Sequence, residues 1–433
     1  MRLTAALGLP AAFCLLVALA GCGRPLVDPL QRPVEVLGLD TDEVRTTPDL
    51  ALRLRVDGAT ALTVGGEDAA AEALPGVFTF AARLEPGLNR LGVRASDGAG
   101  VVASDTLLVL YLPVTTATAR LPSARTDAGV AADGARVLVT GGVGDGGAAL
   151  ASMAVLTAAG FAGADVPLLA ARTGHTATAL PGGGVLLAGG ATAETPARLA
   201  DFVQTAEWVP PGQTQSRPVA LPAGTLLRAG HTARALQTGT TTTVYFYGGV
   251  VPSGAGVSPS GTVDVFEWRP ATEQLVRRSP PGGAGAFDAA TGHVQIPVLD
   301  VPGTSGRAAD VVFAGTLAAR FDFTTPGTTY PFSLDARTAA PLLTPRTDAA
   351  GAPTARSGLA LVAGGRDAAG TVLALVEIYA AAVNRSFRLP ARVGLGTARA
   401  AAGATLLPDG RIVVAGGRTA AGLISDALDI VTL

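Results

Sequence analysis

The hydrophobic positions in the first quarter of this chain form short alternating runs rather than helical stripes. Residues 50–56 (LALRLRV) alternate in side-chain character, as a half-buried strand does. Comparable runs follow at 61–64, 77–80 and 106–111, with glycine, proline and aspartate between them. Short strands at a spacing of about 8–12 residues are typical of an antiparallel sandwich. We therefore predict a small β-sandwich over residues 34–113.

From about residue 115 onward the pattern becomes a repeat, in which an aliphatic run ends in two glycines. The segments 181–190 (PGGGVLLAGG) and 408–417 (PDGRIVVAGG) align without a gap. Double glycines begin at positions 141, 189, 248, 364 and 416, and Ala314-Gly315 is a degenerate copy, so the units are 48, 59, 66, 50 and 52 residues apart. A continuously apolar strand is expected where both faces of a sheet are buried. A glycine at its end permits a close backbone approach or a positive φ.

A further strand, with an acid followed by an aromatic residue, comes after several of these double glycines. Examples are Gln204–Trp208, Val263–Trp268 and Leu375–Tyr379. Together with the aliphatic run and the double glycine, this pattern resembles the kelch repeat of galactose oxidase-like β-propellers, and the resemblance covers about residues 115–433. It implies an all-β fold in which each unit forms one four-stranded blade of a six-bladed propeller.

The two ends of the repeat region predict how the ring closes. The last unit ends at Leu433 directly after its third strand, and residues 114–121 precede the first unit without a blade of their own. We predict that the 114–121 strand completes the last blade, which removes the open edges. The propeller would then span residues 114–433.

The preceding sandwich has its own resemblance. Residues 78–89 and 93–100 resemble the bacterial immunoglobulin-like (Ig-like) domains of surface and secreted proteins. No cysteine pair lies in 34–113, so an antibody-type domain is not implied. Such modules imply a spacer without a site of its own.

The N-terminus predicts export. Arg2 is followed by an apolar stretch, and Leu19-Ala-Gly-Cys22 resembles the lipobox of bacterial lipoproteins. We expect a signal peptide over 1–21, lipidation of Cys22 and a proline-containing tether over 22–33. Because Gly23 is not aspartate, the outer membrane or the cell surface is the expected location. The lipid anchor at Cys22 makes the membrane a partner.

Charge excludes one class of partner. The formal net charge is −2 and only 15% of residues are charged, so the chain lacks the basic stripe that nucleic acid requires. No nucleic-acid partner is expected.

The three histidines fall at one repeat position, each after a glycine: His175, His231 and His293. Three imidazoles at equivalent points around an axis are chemically reasonable ligands for zinc or copper. The alternative, which we prefer, is that they pack and hydrogen-bond between blades, so no metal and no cofactor are predicted. The arginines that open the repeats either bind an anion or, as we favour, form salt bridges between blades. Their expected partners include Glu207, Glu267 and Glu377.

No catalytic residue is predicted. Galactose oxidase chemistry needs a cysteine cross-linked to tyrosine, whereas Cys22 is the only cysteine after the signal peptide. Serine hydrolase, phosphate-loop and zinc-protease motifs are also absent from the sequence. Three interpretations remain. The first is a non-enzymatic surface protein whose propeller binds a protein or a glycan, and the second is a propeller enzyme of the epimerase or hydrolase type acting on a sugar or glycan. The third is a structural role in an envelope assembly.

The loops after the double glycines vary most, and function is commonly located on such loops. We select four residues on these loops as candidate ligand-binding residues: Arg198, Arg366, Asp367 and Arg418.

Overall fold

The computed structural model describes residues 32–157, 159–225, 227–254, 256–278, 291–298, 308–324 and 333–433. Within these ranges the chain consists of β-strands, turns and two short 3-10 helices, Leu199–Asp201 and Ala391–Val393, which confirms the predicted all-β class. No helix in this part of the chain has the length and apolarity needed to cross a bilayer. The predicted signal peptide, Cys22 and most of the tether lie outside the described residues.

The described residues fall into two compact units. The first holds residues 32–39, 51–81 and 91–107, and the second holds 40–50, 82–90 and 108–433. The unit boundaries therefore cross the stretch that the sequence predicts as a single sandwich.

Two four-stranded antiparallel sheets occupy the N-terminal stretch. Their strand orders are β1-β2-β6-β5 and β4-β3-β7-β8. Strand β2 alternates exposed and buried residues, with Leu52 and Leu54 almost fully buried, as its sequence predicts. The strands are β1 Glu35–Val36, β2 Asp49–Arg55, β3 Ala61–Val64, β4 Glu67–Asp68, β5 Ala70–Ala71, β6 Val77–Arg83, β7 Gly87–Asp97 and β8 Gly100–Tyr111.

Thirty further strands lie in the rest of the described chain. They are β9 Thr115–Arg120, β10 Gly129–Asp133, β11 Arg136–Thr140, β12 Ser152–Thr157, β13 Gly163–Pro167, β14 Thr176–Ala179, β15 Val185–Ala188, β16 Ala206–Val209, β17 Arg217–Val219, β18 Thr232–Thr238, β19 Thr241–Tyr247, β20 Val250–Ser253, β21 Gly256–Pro259, β22 Val263–Arg269, β23 Gln274–Arg278, β24 Val294–Val298, β25 Ala308–Ala314, β26 Leu317–Thr324, β27 Ser333–Thr338, β28 Arg346–Thr347, β29 Ala350–Pro353, β30 Leu359–Ala363, β31 Arg366–Asp367, β32 Val376–Ala380, β33 Arg385–Arg388, β34 Arg399–Ala400, β35 Gly403–Leu406, β36 Arg411–Ala415, β37 Arg418–Thr419 and β38 Ala427–Thr432.

Six four-stranded antiparallel sheets organise these strands. We number them along the chain: sheet 1 is β10-β11-β12-β13, sheet 2 is β14-β15-β16-β17, sheet 3 is β18-β19-β22-β23, sheet 4 is β24-β25-β26-β27, sheet 5 is β29-β30-β32-β33 and sheet 6 is β35-β36-β38-β9. The first strand of each sheet contacts the first strand of the next sheet, and the first strand of sheet 6 contacts that of sheet 1. The six sheets therefore stand around one central channel.

Strand β9 gives sheet 6 its fourth strand. It pairs antiparallel with β38, from Ala427 opposite Arg120 to Thr432 opposite Thr115. Arg120 also forms an ion pair with Asp426 at 2.8 Å. The start and the end of the ring thus meet in one sheet.

The apolar core lies between neighbouring sheets. One buried cluster joins Leu138 of sheet 1 to Leu187 of sheet 2, and another joins Val139 of sheet 1 to Val413 of sheet 6. Because a sheet is covered on both faces, its second strand is buried along its length, as β30 is. This explains why the second strands are continuously apolar rather than alternating.

The double glycines of sheets 1, 2, 5 and 6 hydrogen-bond to the arginine that precedes the next sheet around the ring. Gly142 N–H donates to the carbonyl oxygen of Arg172, and Gly417 N–H donates to that of Arg125, both at 2.8 Å. Residue 416 must be glycine, because its φ is +67° and a Cβ there would lie 2.3 Å from the Arg125 oxygen. The repeated motif is therefore a backbone connection between sheets, including the closing one from sheet 6 to sheet 1.

The second unit also contains residues 40–50. Val44 N–H donates to the Arg388 carbonyl at 2.8 Å, and the Arg388 guanidinium pairs with Asp40 at 2.7 Å. Val44 is buried together with Ile378 of sheet 5 and Val414 of sheet 6. This segment therefore covers apolar side chains at sheets 5 and 6.

Candidate functional site

A ring of six equivalent residues surrounds one end of the channel. Each lies two residues before the first strand of its sheet and adopts a left-handed backbone with φ between 53° and 62°. Among the described residues, five main-chain hydrogen bonds of 2.7–3.0 Å run from the N–H of one ring residue to the carbonyl oxygen of the ring residue in the preceding sheet. One of these, from Asp127 to Ala401, crosses from sheet 1 to sheet 6. The ring residues are Asp127, Gly174, Gly230, Gly292, Asp348 and Ala401.

The channel behind this ring is lined by the first strands of the six sheets. Its volume is about 610 Å³, which lies within the range of about 300–1,000 Å³ that small-molecule sites occupy. Its walls are mostly glycine, alanine and threonine, so the space is left by small side chains. Asp127 and Asp348 are the carboxylates of this lining.

A cleft of about 120 Å³ opens at the ring end of the channel, between Asp127 of sheet 1 and Glu194 in a loop of sheet 2. Arg418, in a loop of sheet 6, donates to both carboxylate oxygens of Glu194, at 2.8 and 3.0 Å. Three charged side chains from three sheets therefore meet at this mouth, although Glu194 and Arg418 are far apart in sequence.

The environment of Asp127 changes its proton affinity. Burial, together with the negative charges of Glu194 and Asp348, raises the pKa of Asp127 to about 6, against the opposing effects of a hydrogen bond from Thr126 and the charge of Arg418. Burial also raises the pKa of Asp348, against the charge of Arg366. Carboxyl groups with a pKa near neutrality can both bind and release a proton under ordinary conditions.

The structure distributes the four candidate ligand-binding residues unequally. Arg418 contacts Glu194 at the cleft, and Arg366 acts electrostatically on Asp348 of the ring. Asp367 instead accepts hydrogen bonds from the N–H groups of residues 369 and 371, at 2.9 and 2.8 Å, and so shapes its own turn. Arg198 is exposed and pairs with Asp201 at 3.3 Å.

Sequence reasoning did not single out Asp127, Glu194 or Asp348. A usable signal existed for the two aspartates, because each stands two residues after a repeat-opening arginine, where other units have glycine before histidine. No local signal identified Glu194, since its role depends on a loop from another sheet.

The three histidines connect sheets. His175 Nε2 lies 2.8 Å from the Thr140 hydroxyl of sheet 1, and His231 Nε2 lies 3.3 Å from the Thr176 hydroxyl of sheet 2. Burial holds the pKa of His175 and of His231 well below the ordinary value, so both rings are neutral. His293 makes the same contact with Thr232 of sheet 3 at 3.0 Å. Across the described ranges, no group of three or more His, Cys, Asp or Glu side chains is arranged to hold a metal ion.

The buried arginines differ from the expectation of salt bridges between blades. Each pairs with an acid of its own sheet, while its backbone carbonyl is the group that contacts the preceding sheet. Glu267 was wrongly expected among these partners: it contacts Arg269 at 2.7 Å and Arg278 near the surface. The pairs are Arg125–Asp165 and Arg172–Glu207 at 2.6 Å, Arg346–Glu377 at 3.2 Å, Arg228–Asp264 and Arg399–Asp429.

No family model matches the sequence. No curated protein matches it either. Among solved structures, the chain is similar to "Structure of YjhT", with 14% sequence identity and a TM-score of 0.51 over 72% of this chain and 96% of that chain. At this identity the likeness concerns the fold alone. The chain therefore has an all-β, antiparallel fold that is propeller-like in its larger part.

Proposed function

We propose that this chain is a lipid-anchored protein of the bacterial outer membrane or cell surface that binds a glycan at the mouth of a six-bladed, kelch-like propeller. In this proposal, residues 114–433 form the propeller, the 114–121 strand closes it, and residues 34–113 are an Ig-like spacer. The repeat spacing, the six four-stranded sheets and their cyclic contacts support this architecture.

One observation carries the binding proposal: Asp127 of sheet 1 and Glu194 in a loop of sheet 2 line a cleft of about 120 Å³, and Arg418 in a loop of sheet 6 donates to Glu194. Carboxylate oxygens accept hydrogen bonds from hydroxyl groups, and a guanidinium donates them. The other walls of the cleft are small residues such as Thr173, Gly230 and Gly249. The cleft shares Asp127 and Gly230 with the lining of the 610 Å³ channel, and cleft and channel mouth together leave room for a sugar ring. A few polar groups in a concave site give orientation and specificity to a small ligand.

A glycan array probed with the full chain in detergent tests this function. We expect specific binding to at least one glycan, and we expect Asp127→Asn and Glu194→Gln to weaken it at least tenfold, or about 1.4 kcal/mol. Asp145→Asn is the matched control, because Asp145 is an exposed acid in another loop that follows a double glycine and does not line the cleft. An array without binding, or variants that bind like the unmodified chain, would contradict the proposal.

A second candidate is an enzyme of the epimerase or hydrolase type acting on the bound sugar. The observation that favours it is the pKa of Asp127 at about 6, beside Glu194 and Asp348, since such a group can serve as an acid or a base near neutral pH. NMR spectra of sugars incubated with the chain would reveal a change at the anomeric or a neighbouring carbon. Loss of that change in Asp127→Asn, but not in Asp145→Asn, would support catalysis.

The anchor has a separate test. Cys22→Ser removes the thiol that the lipobox resemblance assigns to lipidation. We expect the unmodified chain to partition with membranes and to incorporate labelled palmitate, and the variant to lose both properties. Unchanged partitioning and labelling would refute the anchor without affecting the proposed glycan site.

A further inference from the structure

An arginine lies deep in the channel, away from the charged mouth. Arg234 is on β18, four residues after the ring residue Gly230, which places it about 13 Å along the channel at roughly 3.3 Å per residue. It is the only arginine among the described residues that line the channel. The first strands otherwise present mainly small or neutral side chains there, so Arg234 dominates the charge of this level.

A buried carboxylate stands behind this arginine. Asp310 of β25 has no exposed surface, and its Oδ1 lies 3.5 Å from Arg234 Nε. The second strands of sheets 2 and 5, Val185–Ala188 and Leu359–Ala363, are apolar throughout, so Asp310 is an exception to the repeat. A carboxylate without exposure is costly unless it is paired, which indicates that Asp310 requires Arg234.

A chain of hydrogen bonds fixes the position of Asp310. Gln295 Nε2 donates to Asp310 Oδ2 at 2.5 Å, and the Thr232 hydroxyl donates to Gln295 Oε1 at 2.6 Å. Because that hydroxyl has a single proton, its contact with His293 Nε2 at 3.0 Å makes the histidine the donor. Each group in this chain therefore donates to the next, and Asp310 is the last acceptor. Its other carboxylate oxygen faces Arg234.

The outer end of the Arg234 side chain is available to a ligand. Its side chain is 22% exposed, and its exposed surface faces the channel. Within the described ranges, its two terminal nitrogens have no hydrogen-bond acceptor, and Nε makes only the 3.5 Å ion-pair contact. A guanidinium presents paired N–H groups that match the two oxygens of a carboxylate.

We infer that Arg234 is a second subsite, which binds a carboxylate group of a ligand that enters the channel. The inference rests on the proposed glycan binding and specifies it: the preferred sugars carry a carboxylate. Asp310, Gln295 and Thr232 are positioning residues that hold the guanidinium in place. The carboxylate would form charge-assisted hydrogen bonds with Arg234, at a level of the channel where the other side chains are mainly small or neutral.

Calorimetric titration of the full chain with D-glucuronate and D-glucose tests the subsite, because the two sugars differ by one carboxylate. We expect glucuronate to bind at least tenfold more tightly than glucose. In Arg234→Gln/Asp310→Asn, which removes both charges together, we expect this preference to disappear while glucose affinity is unchanged. Arg217→Gln is the control, since Arg217 is an exposed arginine paired with Glu273.

The double variant avoids leaving Asp310 buried without a counter-charge, so a folding defect of the single Arg234→Gln variant does not decide the result. Equal affinity of the unmodified chain for both sugars, or a preference that persists in the double variant, would overturn the subsite. If neither sugar binds, the subsite is overturned, and the glycan array then decides the glycan proposal separately. If glucose binding depends on Asp127 but glucuronate has no advantage, only the subsite fails.

Discussion

The two halves of the ring use one backbone geometry for two purposes. In the histidine half, which is sheets 2, 3 and 4, a glycine occupies the ring and a histidine follows it. In the aspartate half, which is sheets 5, 6 and 1, the ring residue is Asp348, Ala401 or Asp127 and an alanine follows. The φ angle stays between 53° and 62° throughout. The repeat therefore gives all six ring positions the same backbone conformation, and the residues at and after each position determine the contacts that are made there.

The consequence differs between the halves. Histidines contact a threonine hydroxyl of the preceding sheet and so hold sheets together. Aspartates present carboxylates to the channel mouth, where burial raises their pKa. A buried carboxyl group whose pKa is raised by its surroundings is a candidate for binding or chemistry, which is the role that our proposal gives to Asp127.

The largest expected effect concerns a feature that both halves share. Arg172→Met in the histidine half and Arg346→Met in the aspartate half each leave a fully buried glutamate without its partner. Each should lower the free energy of unfolding by about 3–5 kcal/mol, measured by denaturant titration. Arg217→Met, at an exposed pair, should cost less than about 1 kcal/mol.

Adding Glu207→Gln to Arg172→Met should recover part of the loss, because the amide keeps an acceptor without a charge. A large effect in one half alone would show that the halves differ in structure as well as in chemistry.

A smaller effect is specific to the histidine half. His175→Ala removes a buried ring and its contact with Thr140, and should cost about 2–3 kcal/mol. The folded-state pKa of His175 lies below the unfolded value of about 6.5, so its contribution is full above pH 6.5 and is lost as pH falls. Unfolding titrations at pH 7.5 and pH 5 should therefore show a shallower acid loss in His175→Gln than in the unmodified chain. Equal slopes would contradict the neutral, buried state.

The aspartate half should respond with the opposite sign. The folded-state pKa of Asp127, about 6, exceeds its unfolded value, so ionised Asp127 destabilises the fold above pH 6. Asp127→Asn should raise the free energy of unfolding by about 1–2 kcal/mol at pH 7.5, and the gain should disappear below about pH 4. Asp145→Asn serves as the exposed control. A destabilised variant at pH 7.5 would assign Asp127 a structural role.

The smallest effect exchanges ring residues between the halves. Gly230→Ala meets no atom within 4 Å, so its cost is the left-handed conformation alone, about 1 kcal/mol. The reverse change, Ala401→Gly, should gain up to about 1 kcal/mol by relieving the same conformation. Thermal unfolding of the two variants measures both. A cost of several kcal/mol for Gly230→Ala would mean that the two halves do not share one geometry.

Much of the strand pattern could be predicted from the sequence, because it depends on local repetition. The aligned segments 181–190 and 408–417 contain β15 and β36, and the predicted 114–121 strand corresponds to β9. Packing between sheets requires the same apolar run and the same two glycines in each unit, so the signal recurs along the chain.

The ion-pair partners illustrate what the sequence analysis missed. Glu267 was expected as the partner because it directly precedes an aromatic residue in its strand. In the structure Glu207, Asp264 and Glu377 each lie opposite the residue two positions before a double glycine. Counting from the glycine would have identified Asp264, since Asp264 and Glu267 are three apart and point to opposite faces of the strand.

The charged residues at the channel mouth could not be predicted from the sequence, for a different reason. Glu194 and Arg418 are 224 residues apart and meet only because the ring brings loops of sheets 2 and 6 together. Asp310 stands in the otherwise apolar strand β25, and its sequence neighbours do not reveal its partner. That partner is Arg234, which lies in another sheet. Interactions of this kind follow from tertiary structure, and no local pattern encodes them.

Strand β9 imposes a requirement on the newly made chain. Its contacts in sheet 6 join residues about 306 positions apart, as in the pair Arg120–Asp426, so it stays without its final neighbour until nearly all of the ring has been synthesised. An exposed strand edge invites pairing with other chains. The sequence of β9, TTATAR, is short and rich in threonine and has little aliphatic surface. Such a strand has a low tendency to aggregate while it is exposed to solvent, before β38 has been synthesised.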